Sequence, residues 1–409
     1  MNVSTRQHLL IKKSETNFCH TVHEGVASWK FFRMSYPRQF NATDMCIKHD
    51  LNQEIGCGNF SAVYKGCYQP LALDCAVKIF TKAELKRIGK EMDVCMERHA
   101  LSRLNHAKIV RLIFSDATPE TVSIVTELCP GGELWALCRR CGIPEPRAKF
   151  YFKQILDGVS FMHRMGIVHR DLKAENVFLS GDRRVAKIGD FGSSRDMFNP
   201  AICGSGTSSV RFSGSRPSKV MEHYVGSPNF LAPEALENKE NDEKSDIWSL
   251  GCMFYQILVG IPPFSAGSEY LIYLRMRAND LVFPPAGLSL SATSLIKRIL
   301  KQDRTLRPSI NEILQDDFFR DTPNQLPPLS LVDLAIRAYA QQDSLTLDES
   351  VIWSFEPENR VSDRLRMVLT VREWEIKARP GNGTASVDHQ NLLPPDLGKD
   401  SCNNSSSED

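Results

Sequence analysis

The chain has 409 residues, of which 42% are hydrophobic and 24% are charged, and this composition is ordinary for a soluble globular protein with a large core. Its formal net charge is +1, so no whole-molecule field favours nucleic acid or a membrane surface as a partner. Scattered cysteines, without a signal pattern or an apolar run of about 18 residues, indicate reduced thiols in a cytoplasmic protein.

The predicted elements divide the chain into a β-rich part and a helical part. Residues 1–45 are polar and without periodicity, which indicates a flexible leader. Short apolar runs then predict strands, interrupted by one helix over 90–104. Helical periodicity dominates afterwards. The expected fold class is therefore α+β, with a β-rich lobe at about 46–128, a helical lobe at about 129–320 and a cleft between them.

Three further segments have a distinct composition. Residues 203–219 are rich in serine, glycine and arginine, which indicates a mobile insert in the helical lobe. A C-terminal extension at 321–378 regains strand-like character at 349–355 and 364–377. Residues 379–409 are polar with an acidic end, which is typical of a disordered tail.

The first candidate site residues are two glycines. Gly56 and Gly58 let the backbone turn tightly and approach phosphate oxygens with no Cβ in the way. A plain β-hairpin turn explains the same pair equally well. Ser61 stands where the usual phosphate-binding pattern has a third glycine, which weakens the phosphate interpretation.

A lysine and a glutamate follow on the next predicted elements. Lys78 ends an apolar strand, where a lysine can also simply extend its ammonium into solvent. Glu97 lies on the helix predicted over 90–104. An ion pair between the two would hold the ammonium against the α- and β-phosphates of a nucleotide.

The decisive motif runs from His169 to Asn176. Within it, Asp171 can orient a substrate hydroxyl, and Lys173 can neutralise charge that develops on a transferring phosphoryl group. Asn176 and Asp190, which begins an Asp-Phe-Gly tripeptide, offer hard oxygen ligands to Mg²⁺. An exposed, charge-rich loop explains any one of these residues alone, but not all of them in this order.

These motifs resemble those of the eukaryotic protein kinase family, over about residues 48–320. The resemblance implies a bilobal fold, protein substrates, and ATP and Mg²⁺ as cofactors at the junction of the lobes. Thr126 would be the gatekeeper, and Glu127 to Cys129 the hinge that hydrogen-bonds adenine. The residues that the resemblance assigns to ATP binding are Ile55, Gly56, Gly58, Ser61, Val63, Ala76, Lys78, Glu97, Thr126, Glu127, Cys129 and Glu133.

The resemblance extends to residues around the catalytic motif. The segment 226–230 and the lysine of the motif match the serine/threonine branch, in which Ser227 would hold the catalytic loop and the substrate in place. Glu234 and Arg307 would form a structural ion pair, and Asp246 would brace the backbone of the catalytic loop.

A finer resemblance is to the AGC group and, within it, to the phosphoinositide-dependent protein kinases. It rests on residues 56–61, 96–106, 131–134 and above all 251–272. It implies that the substrates are activation loops of other AGC kinases, which dock by a hydrophobic C-terminal tail in a groove of the first lobe. Ordinary core packing also explains several of the groove positions, which are Lys82, Leu85, Val94, Arg98, Val122 and Ile124.

The chain departs from this family at the activation loop and in the extension. His223 stands where the family carries a self-phosphorylated serine. Either a nearby serine takes over, or the loop is ordered without phosphate; the candidates are Ser213, Ser215 and Ser218. The extension has enough strand-like residues for a partial pleckstrin-homology-like hairpin but too few for a barrel, so binding of membrane lipid is not expected.

Two other functions stay open. Glu133 and Glu175 are placed as in kinases that read arginine before the target residue, which fits a basophilic kinase of the calcium/calmodulin type. A pseudokinase scaffold would use the same fold without phosphate transfer. It should have lost part of the catalytic set, which is complete here: Lys78, Asp171, Asn176 and Asp190.

Overall fold

A computed structural model describes residues 47–58, 61–68, 72–199, 227–237, 241–340 and 359–377. Several predictions fall outside these residues: the flexible leader, the insert at 203–219, His223 and the three alternative serines, the strand at 349–355, and the disordered tail. Among the helices of the described part, none is long and apolar enough to cross a membrane.

The first lobe is built on a five-stranded antiparallel sheet with the strand order β1–β2–β3–β5–β4. Its apolar residues follow the two-residue period of a strand. Cys75 and Val77 are buried in one hydrophobic cluster, and Val122 and Ile124 in another. The strands are β1 Ile47–Gly58, β2 Ser61–Tyr68, β3 Leu73–Thr81, β4 Leu112–Ala117 and β5 Thr121–Glu127.

Two helices accompany this sheet. Helix α1, Lys82–Ile88, ends at Gly89, whose φ of 68° closes the helix in a conformation that favours glycine. Helix α2, Glu91–Arg103, is buried at every position from Val94 to Leu101. It contacts β4 on one side and the segment around Phe191 on the other. Helix α2 therefore lies at the junction of the two lobes.

The second lobe is helical, with α6, Glu243–Val259, at its centre. The carboxylate of Asp242 accepts hydrogen bonds from the backbone N–H groups of Lys244 and Ser245 at 2.9 and 3.3 Å, which caps the N-terminus of α6. The other helices are α3 Trp135–Cys138, α4 Glu145–Arg164, α5 Pro233–Glu237, α7 Glu269–Arg277, α8 Leu290–Ile299 and α9 Ile310–Leu314.

Short strands between residues 132 and 196 form two small sheets. They form one sheet in the order β6–β8–β9 and a separate pair of β7 with β10. This arrangement of a β-rich lobe and a helical lobe confirms the α+β, bilobal fold class. The strands are β6 Gly132–Glu133, β7 Ile167–Val168, β8 Val177–Leu179, β9 Ala186–Ile188 and β10 Arg195–Asp196.

The structure contradicts one prediction for the C-terminal extension: residues 364–377 are helical and not strand-like. It belongs to helix α11, Asn359–Lys377, which packs against helix α10, Leu331–Ala340. The buried side chains of α11 include Met367, Val368 and Val371, whose spacing of one, three and four residues is helical. From the sequence alone, these residues are interpreted as strand-like. The partial pleckstrin-homology-like hairpin is therefore wrong for residues 359–377.

Candidate active site

The glycine-rich segment is a hairpin between β1 and β2. Gly56 lies opposite Val63, and Gly58 lies opposite Ser61. A Cβ added at Gly58 would lie 3.1 Å from the hydroxyl oxygen of Ser61, so this end of the hairpin has little room for another side chain. Val63 pairs in turn with Lys78 on β3. The hairpin therefore lies beside the lysine that sequence reasoning assigned to the phosphates.

Other positions assigned to ATP lie on β1, on β3, on β5 and just after β5. Ile55 on β1 is 50% exposed. Ala76 on β3 pairs with Thr126 on β5, and Glu127 is the last residue of β5. Beyond it, burial raises the pKa of the Cys129 thiol to about 11, so this side chain stays protonated at neutral pH. The assignment of Glu127 to Cys129 as the hinge stays a prediction.

Lys78 is shared between two carboxylates. Its ammonium donates to both oxygens of Glu97, at 2.8 and 3.1 Å, and to Oδ1 of Asp190 at 3.0 Å. Burial opposes the charge of Lys78, but the two carboxylates outweigh it and raise the pKa of the lysine. The side chain of Glu97 is 5% exposed, whereas that of Asp190 is 44% exposed. Glu97 is thus the fixed partner, and Asp190 faces the cleft.

Asp246, fully buried on α6, holds the start of the catalytic loop. Its two oxygens accept from the backbone N–H groups of His169 and Arg170, both at 2.8 Å. The ring of His163 also hydrogen-bonds Asp246, at 2.9 Å. Arg170 has a φ of 66°, a conformation that is costly for a residue with a side chain. The carboxylate of Asp246 stabilises this strained turn just before Asp171.

Asp171 accepts three hydrogen bonds from three separate residues. The ammonium of Lys173 donates to its Oδ2 at 2.8 Å, and the amide of Asn176 donates to the same oxygen at 3.0 Å. The backbone N–H of Ser227 donates to Oδ1 at 3.0 Å. Lys173 also donates to the hydroxyl of Ser227, at 2.7 Å. The catalytic loop and the residue at 227 are therefore tied together around one carboxylate.

Asp190 has a φ of 57°, another left-handed conformation that turns its side chain back toward Lys78. Burial opposes its ionisation, yet the charge of Lys78 lowers the pKa of Asp190 below its ordinary value. Phe191 is fully buried, with its ring centroid 4.9 Å from that of His169. The ring of His169 hydrogen-bonds the carbonyl oxygen of Gly189 at 3.0 Å. These contacts hold Asp190 next to the catalytic loop.

The donors at this site suit a divalent cation that arrives with a nucleotide. Within the described ranges, no group of three or more His, Cys, Asp or Glu side chains is arranged to hold a metal ion. Asp190 offers a carboxylate at the cleft. The amide nitrogen of Asn176 donates to the carboxylate and, at 2.8 Å, to the carbonyl of Asp171, so its side-chain oxygen is the atom it can offer. Mg²⁺ typically takes one or two protein oxygens and completes its shell with phosphates and water.

Two further glutamates lie near Lys173. Burial is the main cause that raises the pKa of Glu133 and of Glu175, and the charge of Lys173 partly opposes it in both. The charge of Glu133 adds a minor part to the rise at Glu175. Gln256 donates to Glu175 at 3.4 Å. The result is an acidic patch beside the catalytic lysine.

The predicted structural pair lies deep in the second lobe. Arg307 donates to the two oxygens of Glu234 at 2.7 and 2.8 Å. The side chain of Arg307 is 0% exposed and that of Glu234 is 8% exposed. Arg307 also donates to the backbone oxygens of Lys244 and Lys301, both at 2.8 Å. The guanidinium thus joins α5, α6 and the segment after α8.

The predicted docking-groove residues lie on α1, α2 and β5. Their apolar members are closed inside the core: Leu85, Val94, Val122 and Ile124 are 0–2% exposed. Arg98 donates to the hydroxyl of Ser115 at 3.0 Å. Lys82 donates to the backbone oxygen of Thr118. The structure therefore places these side chains side by side and covers their apolar surface.

Sequence reasoning missed a cluster centred on Asp196. This carboxylate is fully buried and contacts two basic side chains of α2, His99 and Arg103. The spacing of His99 and Arg103, four residues apart on a helix, was a signal that both lie on one face. Nothing in the sequence indicated which acid would meet them.

A family model for the protein kinase domain matches residues 49–319. The chain belongs to the protein kinase family. The glycine hairpin, the Lys78–Glu97 pair, the catalytic loop and Asp190 all lie within the matched residues. Kinases of this family use ATP and a divalent metal, and the donors described above are of the types that both require.

Three relatives bear on the type of kinase. The chain is 32% identical to serine/threonine-protein kinase PKH2 of Saccharomyces cerevisiae, over 81% of this chain and 31% of that protein. It is 34% identical to 3-phosphoinositide-dependent protein kinase 1 of Arabidopsis thaliana, over 69% of this chain and 55% of that protein. It is 36% identical to the inactive serine/threonine-protein kinase PLK5 of Mus musculus, over 68% of this chain and 44% of that protein.

The kinase is thus of the serine/threonine type, and it spans between 31% and 55% of the length of these relatives. Because one relative is named as inactive, family membership alone does not decide catalytic competence. That question depends on the catalytic residues of this chain and on their geometry.

Proposed function

We propose that this kinase transfers the γ-phosphoryl group of Mg-ATP to serine or threonine hydroxyls of protein substrates. The observation that carries the proposal is a network of side-chain contacts in two parts: Lys78 contacts Asp190, and Asp171 contacts Lys173 and Asn176. Phosphoryl transfer depends mostly on positioning and on neutralising charge. This network supplies both functions from fixed side chains.

Asp171 would orient the acceptor hydroxyl and receive its proton. Its three donors leave it as a hydrogen-bonded carboxylate held in one orientation, as a positioned base requires. Lys173, which also bonds Ser227, would balance the negative charge that develops during transfer. Ser227 would fix the substrate-binding segment against the catalytic loop.

Lys78, Asn176 and Asp190 would bind the nucleotide. The charged ammonium of Lys78 would meet phosphate oxygens, and Asp190 and Asn176 would supply oxygen ligands to Mg²⁺. A bound Mg²⁺ would supply positive charge against the phosphates. A pseudokinase scaffold is less favoured, because none of these side chains is substituted and their contacts are intact.

For the substrate, we propose activation loops of AGC kinases, in a phosphoinositide-linked pathway in the cytoplasm and without direct lipid binding. A relative named 3-phosphoinositide-dependent protein kinase 1 supports this choice. The proposed docking groove has Lys82 and Arg98 as its basic residues, and Arg98 is itself buried. Since its apolar members are buried, a hydrophobic tail would have to open the space between α1, α2 and β5 to reach them.

A basophilic kinase of the calcium/calmodulin type is the second candidate. It is favoured by the acidic patch of Glu133 and Glu175 beside Lys173. The guanidinium of a substrate arginine would pair with these carboxylates and offset the cost of keeping them charged. This preference could also coexist with tail docking.

One assay separates the two candidates. Phosphate incorporation is measured with an AGC kinase, with the same kinase lacking its hydrophobic tail, and with a short arginine-rich peptide. We expect the tail to increase the rate with wild type, and Asp190→Asn to abolish incorporation in every case. Preferred use of the short peptide, without an effect of the tail, would favour the basophilic candidate.

If wild type and Asp190→Asn incorporate no phosphate into any of the three substrates, while both remain folded, the proposed phosphotransferase activity is wrong. Circular dichroism with a thermal melt checks that both proteins are folded. That outcome would leave the pseudokinase interpretation.

A further inference from the structure

Asp196 on β10 has no place in the proposed chemistry, yet it is a fully buried acid. Its Oδ2 accepts from Nε2 of His99 at 2.8 Å, from Arg103, and from the side-chain amide of Asn199 at 3.1 Å. Burial opposes its ionisation, but these hydrogen bonds lower the pKa of Asp196 to about 2. The carboxylate is therefore charged at neutral pH inside the protein.

The two oxygens of Asp196 have different partners. Oδ1 accepts from the backbone N–H groups of Phe198 and Asn199, both at 2.9 Å, which is the usual local turn of an aspartate. Such a turn requires one oxygen only. Oδ2 instead accepts hydrogen bonds from two side chains of α2, a helix of the other lobe.

The backbone of Asp196 is fixed to the catalytic loop. Asp196 lies opposite Ile167 on β7, and Arg195 lies opposite Val168, the residue before His169. The N–H of the next residue, Met197, donates to the carbonyl oxygen of Gly166 at 2.7 Å. A single residue therefore connects α2 with the strand that enters the catalytic loop.

Helix α2 is held from two directions. Residues two positions apart on an α-helix point about 200° apart, so Glu97 and His99 lie on opposite faces. One face is tied to Lys78 at 2.8 Å, and the other is tied to Asp196 by His99 and Arg103. Polar contacts on both faces therefore add to the burial of the helix and restrain its rotation about its axis.

We propose that Asp196 is a positioning residue for phosphoryl transfer, which holds α2 in the rotation that pairs Glu97 with Lys78. Its negative charge belongs to the chain, so this link forms without a phosphate on the activation loop. A kinetic test of this role rests on the proposed phosphotransferase activity. A second test measures the helix itself and is independent of that activity.

The kinetic test is a double-mutant cycle of Asp196→Asn with Glu97→Gln. Asp196→Asn alone should raise the KM for ATP and lower kcat/KM about tenfold, the size expected for a coupled charged contact. In the Glu97→Gln background the same change should lower kcat/KM less than about twofold, because the residue through which Asp196 acts is already altered. Equal losses in both backgrounds, or no loss in wild type, would overturn the proposal.

The second test measures hydrogen exchange of the backbone amides at 91–103 in nucleotide-free protein. We expect these amides to exchange at least about tenfold faster in Asp196→Asn and in Arg103→Gln than in wild type. Asp280→Asn, which removes an arginine–carboxylate pair at the surface of the second lobe, is the control and should leave them unchanged.

Unchanged exchange in both variants would overturn the proposed link. Arg103 is 25% exposed at its side chain, so Arg103→Gln keeps the test valid if Asp196→Asn does not fold. If wild type transfers no phosphate, the proposed function fails in the kinetic assay, while the exchange measurement still decides whether Asp196 fixes α2.

Discussion

Two ion pairs of the kinase have nearly the same length and opposite surroundings. Lys78 lies 2.8 Å from Glu97, and Arg307 lies 2.7 Å from Glu234. The side chain of Lys78 is 23% exposed and shares its charge with Asp190 at the cleft, whereas Arg307 is 0% exposed. The first cation can meet a phosphate, and the second cannot leave its partner. Exposure and a second carboxylate partner at the cleft therefore separate the functional pair from the structural one, and distance does not.

The largest effect is expected for Arg307→Met. It leaves Glu234 buried without its bidentate partner, so we expect a loss of about 3–5 kcal/mol in the free energy of unfolding. Chemical denaturation followed by circular dichroism measures it. The folded fraction should keep its nucleotide affinity, because Arg307 lies in the second lobe away from the cleft. A loss below about 1 kcal/mol would contradict a structural role for this pair.

Lys78→Met should have the opposite effect, with a large loss of activity and a small loss of stability. We expect the phosphate-transfer rate to fall by about 10²–10³, because a preorganised cation at the phosphates is removed. The melting temperature should change much less than in Arg307→Met. Lys65→Met is the matched control, because Lys65 is also a strand lysine in an ion pair, with Asp74 at 3.0 Å. A similar loss of activity in both lysine variants would contradict a specific role for Lys78.

The buried pair of Glu234 and Arg307 also predicts how the free energy of unfolding depends on pH. Burial opposes the charge of Glu234, but Arg307 and Ser245 lower its pKa below the ordinary value of 4.5. A carboxyl with a lowered folded pKa stabilises above its unfolded pKa, and that stabilisation is lost as the pH falls through the folded value. The free energy of unfolding should therefore fall more steeply below about pH 4.5 in wild type than in Glu234→Gln. If the free energies of unfolding of the two proteins ran parallel from about pH 6 to about pH 3.5, the prediction would be wrong.

The smallest effect is expected at a third ion pair. Arg275 lies 2.9 Å from Asp280, but their side chains are 29% and 51% exposed. Solvent screens such a pair, so Asp280→Asn should change the free energy of unfolding by less than about 1 kcal/mol. It should not change the transfer rate. An effect as large as that of Arg307→Met would mean that exposure does not separate these pairs.

The bilobal fold and the chemistry of the cleft could be predicted from the sequence, because both depend on short motifs. The run from His169 to Asn176 fixes which side chains share one loop, and the strand and helix around Lys78 and Glu97 bring those two together. The contacts of Lys78 span 19 and 112 residues, so local spacing alone does not give them. They could be predicted because the motifs resemble those of the kinase family.

Other features depend on packing between distant segments. Asp196 meets His99 and Arg103 across 97 and 93 residues, and no local pattern pairs them. Residues 364–377 contain apolar side chains that fit both a two-residue and a helical period, and only burial against the second lobe selects the helix. Burial of the predicted docking groove is likewise a property of the packed core.

Phosphoamino acid analysis of a substrate tests the proposed function most directly. Wild type and Asp171→Asn are incubated with Mg-ATP and an AGC kinase, and nucleotide binding is measured on both. Wild type should produce phosphoserine or phosphothreonine, and Asp171→Asn should bind the nucleotide but produce neither. Equal products from both proteins would contradict the proposed role of Asp171. No product from folded, nucleotide-bound wild type would contradict the proposed function.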